Sequence, residues 1–112
     1  MLHKTLNIQK WIKFNFSQQI LMIANEINRA NNCCLNSDIR GVKRAYERAL
    51  ELLWLTIECT GEKNRRKELL RWKEVLLTEY IEENISCERN LIIMKNLLFF
   101  TPETARQIKY LI

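Results

Sequence analysis

Apolar residues recur at intervals of three and four along almost the whole of this chain, and only Gly41, Gly61 and Pro102 offer a backbone that breaks a helix. Two glycines and one proline in 112 residues leave little turn chemistry for a protein of many short strands. All-β architectures are set aside, and the expected fold class is all-α, built from few, long helices. A chain of this length encloses one modest core, so residues 1–112 are read as a single soluble domain. Hydrophobic residues make up 47% of it and charged ones 28%, enough apolar surface to offset the entropy of ordering the chain.

The spacing predicts a first helix over residues 5–31, with Ile12, Phe16, Ile20, Ile23, Ile27 and Ala30 on one face. A polar cluster over 31–38 follows as a loop, in which Ser37 or Asp38 is suited to cap the next helix. The second helix is expected over 39–60, its stripe formed by Val42, Tyr46, Ala49, Leu53 and Ile57, with Gly61 as a left-handed C-terminal residue. A third, over 64–83, buries Leu69, Trp72, Leu76 and Tyr80, and its short connection to the second forces an antiparallel hairpin. Ser86 is placed to cap a fourth helix that is apolar on almost every side through Ile92, Ile93, Leu97 and Phe99. Thr101, Pro102 and Glu103 then spell a helix start for a final segment ending at Tyr110, Leu111 and Ile112. The architecture expected is an antiparallel, up-down four-helix bundle with a short fifth C-terminal helix.

The stretch 1–16 is interrupted by Lys4, Asn7, Gln9, Lys10 and Lys13 before an apolar signal core can form. The run 91–100 contains Lys95 and Asn96 and is about half the length of a membrane span. A cytoplasmic chain without membrane association is therefore expected, and its four cysteines are read as reduced thiols. Up-down topology gathers Cys33, Cys34 and Cys87 at one end, where a bridge from Cys87 to either neighbour is sterically open, and leaves Cys59 and His3 at the other. With the candidate ligands split in this way, neither a metal site nor any other cofactor is expected.

The formal net charge is +5, and basic residues open the second helix (Arg40, Lys43, Arg44, Arg48) and the third (Lys63, Arg65, Arg66, Lys67, Arg71, Lys73). Cations are disfavoured at amide-rich helix starts, so these clusters are candidates for holding phosphate, with Arg40, Lys43, Arg44, Arg65, Arg66 and Lys67 as the contacting residues. An antiparallel hairpin accounts for more of them. It sets the basic start of one helix beside the acidic end of the other, Glu79, Glu82 and Glu83 in one case and Glu58 and Glu62 in the other. Residues 38–62 carry four basic and five acidic groups and residues 63–83 carry six and five, so the hairpin is neutral. No zinc-finger spacing, RNA-binding strand motif or Gly-rich phosphate loop accompanies the charge, which leaves nucleic acid as the second reading.

One histidine in a terminus gives no Cys-His or Ser-His-Asp arrangement, and the carboxylates fall on outer faces or helix ends without the inward Glu-x-x-His pattern of di-iron bundles. The chain is read as a non-enzyme. Most aromatic residues belong to core and boundary packing, but Trp54 sits about 100° from Leu53, off the main stripe, with Leu50 and Ile57 beside it. Ile92 and Phe99 form a similar secondary strip on the fourth helix. More apolar helix surface exists than one bundle of this size encloses, so Leu50, Trp54, Ile57, Ile92 and Phe99 are the candidate partner-binding residues, the partner being another copy or another protein.

Overall fold

The computed structural model describes residues 7–111, and every regular element among them is a helix. They are α1 (Ile8–Trp11), α2 (Phe16–Leu35), α3 (Ile39–Cys59), α4 (Lys63–Ile81), α5 (Cys87–Leu98), α6 (Pro102–Ala105) and α7 (Ile108–Leu111). The expected helices two, three and four are α3, α4 and α5. Thr5, the expected start of the first helix, lies outside the described residues, as do His3 and Ile112.

The expected first helix is in fact two, because Asn15 competes for the backbone. Its side chain accepts from Gln18 N at 2.8 Å while Gln18 Oε1 accepts from Asn15 N at 2.8 Å, a reciprocal capping box that starts α2 afresh. Gln19 then fastens the break by donating to the carbonyls of Trp11 and Phe14 at 3.1 and 3.0 Å. Ile12, assigned to the buried stripe from its spacing, is consequently 60% exposed. Trp11 turns inward instead, its Nε1 donating to Thr56 Oγ1 at 2.9 Å, which ties α1 to α3.

The predicted loop over 31–38 shortens to three residues, because α2 continues through both cysteines to Leu35. Ser37 takes the left-handed conformation, with φ of 58°, and Asp38 caps α3 by accepting from Gly41 N at 3.0 Å. Gly61 is not left-handed. The end of α3 is an extended Thr60, and Glu62 directly caps α4. Ser86 and Thr101 cap α5 and α6 as their sequence context predicts, but the C-terminal segment divides into α6 and α7. Thr104 fixes the turn before α6 by donating from Oγ1 to Leu98 O at 2.6 Å.

α2 packs mainly on α3 and α5, and α4 leans on α3 and α5 with less contact. Named contacts join the packed pairs. Glu26 meets Arg48 and Cys34 meets Cys87 across α2; Glu47 meets Tyr80 between α3 and α4; Trp72 Nε1 donates to Ile93 O and Arg89 meets Glu79 between α4 and α5. The core they surround is filled by Ile20, Ile23, Ile27, Tyr46, Leu53, Leu69, Leu76, Met94 and Leu97, all essentially inaccessible to water.

Candidate functional site

α4 positions the exposed apolar surface. It packs against both α3 and α5. On α3, Ile57 is only 6% exposed, Leu50 is half-buried against the core, and Trp54 remains 49% exposed. On the α5 side, Ile92 and Phe99 are each 59% exposed. The candidate residues named from sequence thus divide between two seams on opposite flanks of α4, and Ile57 belongs to the core.

Two contributors escaped the periodicity argument. Leu70 and Val75 are 42% and 49% exposed and lie off the Leu69, Trp72, Leu76 stripe, one on each flank of α4. The signal was there in outline, since each is an apolar residue at a position the stripe does not use. Val75 falls between Trp72 and Glu79, and Ile92 falls between their partners Arg89 and Ile93, so the two share a level in the second seam. Beyond it, Asn64, Arg65, Glu68, Asn96, Phe99 and Phe100 line a shallow cleft of about 400 Å³.

The basic clusters do not form one surface. Those of α3 and α4 start at opposite ends of an antiparallel pair, about 30 Å apart at ~1.5 Å per residue. Arg40, Arg44, Arg66 and Lys67 are exposed. Lys43 is half-buried and donates from Nζ to the carbonyls of Tyr80 and Glu82, satisfying the free end of α4 while lying over the Tyr80 ring. The Arg65 guanidinium stacks on the Phe16 ring with its carbon 4.1 Å from the centroid. Arg48 pairs with Glu26 of α2 at 2.6 Å, and Glu79 with Arg89 of α5 at 2.9 Å. These pairings correct the expectation that the acidic end of α4 takes up the basic start of α3 through carboxylates. They also bring Glu26 and Glu79 into buried positions, although the sequence pattern placed carboxylates on outer faces.

Tyr46 is buried in the core, while the free thiols are partly exposed. The Tyr46 hydroxyl donates to Asn90 Oδ1, and burial, followed by the nearby Glu79 charge, raises its pKa far above the ordinary phenol value. Burial, followed by Glu58, raises the Cys59 thiol and keeps it in the less nucleophilic form. Cys34 and Cys87 form a disulfide with Cα atoms 5.8 Å apart, so the all-thiol expectation holds only for Cys33 and Cys59. Among the described residues no three His, Cys, Asp or Glu side chains group so as to hold a metal ion. None of their helices is long and apolar enough to cross a membrane. Comparison of the chain with protein-family models, curated proteins and solved structures gave no match.

Proposed function

We propose that the chain is a small cytoplasmic interaction module, an up-down four-helix bundle that associates with itself through apolar residues flanking α4. The observation that carries this reading is Trp54, half in water at 49% exposure while Trp11 and Trp72 are buried. A tryptophan side chain buries on the order of 200 Å² when fully enclosed, so the exposed half forgoes roughly 2–3 kcal/mol at ~25 cal/mol per Å². Leu70 beside it, and Ile92, Phe99 and Val75 on the other flank, enlarge the same deficit. A second copy would recover it.

Light scattering coupled to size-exclusion chromatography tests the reading. The expected mass at high micromolar concentration is about twice the 13.5 kDa of the chain. A strictly monomeric mass under those conditions overturns it.

A further inference from the structure

We propose that the Cys34–Cys87 bond is a redox switch at one end of the bundle, opened by small thiols and re-formed by their disulfides while the core stays folded. It operates in a monomer and in a dimer alike.

Both cysteines are partly exposed. They line an open cleft of about 310 Å³, walled by Ser37 and Asp38 from the turn before α3 and by Asn84 and Ile85 from the turn before α5. An attacking thiolate therefore meets the bridge from solvent, without passing through the core. It bonds to one bridge sulfur, and the electron pair of the broken S–S bond leaves on the other, which takes up a proton. A second thiolate then removes the first as a small disulfide and frees the remaining cysteine. The bridge has gained two electrons and two protons, and two thiols have become one disulfide. Exchange with that disulfide in the reverse direction closes the bridge again.

The helices stay in register when the bond opens, because buried contacts hold them a turn or two further on. Asn90 Nδ2 donates to Ile27 O at 3.2 Å between α5 and α2, and Trp72 Nε1 donates to Ile93 O at 2.9 Å between α4 and α5. Cys87 is the first residue of α5 and lies outside these anchors. Opening thus releases the segment 83–88 and leaves the bundle in place. Cys33 shows which pair closes again. Although adjacent to Cys34 in sequence, it does not line the cleft, and its Sγ rests against α3, 2.6 Å from where a Cβ on Gly41 would stand. The anchored helices keep Cys34 and Cys87 with Cα atoms 5.8 Å apart, a separation suited to a disulfide, so closure returns to that pair.

The test treats the full chain with β-mercaptoethanol in native buffer and in urea, stops the reaction with acid, and counts thiols by alkylation and mass spectrometry. The native rate is expected to lie within about tenfold of the rate in urea, whereas a bond reached only through global unfolding is slowed by about a thousandfold or more. Circular dichroism should show unchanged helix content after reduction. Amide hydrogen exchange should rise over 83–88 and stay slow at Asn90 and beyond in α5. Re-oxidation with hydroxyethyl disulfide is expected to restore Cys34–Cys87 in at least about tenfold excess over Cys33–Cys87, with fragmentation between the adjacent cysteines telling the two apart. Four free thiols in the chain purified in air, slower native opening, loss of helix on reduction, or equal amounts of the two pairings overturns the switch.

Discussion

The Tyr46 hydroxyl donates to Asn90 Oδ1 at 2.7 Å, and Asn90 Nδ2 donates in turn to Ile27 O at 3.2 Å, so a single buried relay joins α3, α5 and α2. Both side chains are inaccessible to water. Tyr46→Phe leaves the Asn90 oxygen buried and unpaired, which costs about 1–3 kcal/mol, to be read from urea denaturation at neutral pH. The pKa shift adds an alkaline signature. The unfolded phenol ionises near its ordinary value of about 10 while the folded one keeps its proton, so stability is full below that pH and declines as pH rises above it. The Phe variant is expected to lose stability less steeply across this range, and an equal slope in both proteins would show that Tyr46 is not its source.

The two glycines respond oppositely to alanine. A Cβ at Gly41 would stand 2.6 Å from Cys33 Sγ and closer still to the Asp38 carboxylate, whose cap on α3 it would displace. Losing that cap costs about 0.5–2 kcal/mol, so Gly41→Ala is expected to be destabilising in thermal unfolding. Gly61 has no atom within 4 Å of the added carbon and has no positive φ, so Gly61→Ala is neutral or stabilising by up to ~1 kcal/mol.

Reduction separates the contribution of the disulfide from that of the core. The Cys34–Cys87 bond spans 53 residues. Cross-linking a chain of that separation lowers the entropy of the unfolded state by an amount corresponding to about 4 kcal/mol, with measured cases usually between ~2 and ~4. Denaturation with and without a phosphine reductant is expected to show a loss of that size with the helix content unchanged. Unfolding on reduction alone would mean that the apolar core cannot hold the bundle.

Acid acts through a cap. Glu62 accepts from Asn64 N at 2.9 Å and from Arg65 N at 2.6 Å, and these two bonds hold its carboxyl below the usual carboxylate range. A depressed folded-state pKa means that the unfolded chain takes up the proton first. Its stabilising contribution is therefore present above about pH 4.3 and is lost as the pH falls below it. Glu62→Gln should flatten the acid limb of a melting-temperature profile. Glu103 is lowered for related reasons, by backbone and Ser17 hydrogen bonds, so the double variant should flatten it further.

Local chemistry by itself determined the helical class, the starts of α3, α5 and α6, and most of the buried stripe. Each of these depends on residues within one or two turns: Asp38, Ser86 and Thr101 satisfy nearby amides, and apolar spacing repeats with the helix period. The break after Trp11 was equally local but concealed, because the Asn15–Gln18 box lies inside a continuous apolar period. Only tertiary structure decided which apolar residues stay in water. Ile57 belongs to both the main stripe and the Trp54 strip by its spacing, and only the packing buries it at 6% exposure while Trp54 stays half-exposed. The same holds for charge. Glu79 turns to Arg89, Arg48 to Glu26 and Lys43 to bare carbonyls, since an ionic side chain pairs with whatever the packing brings within hydrogen-bond distance, and packing depends on every helix at once.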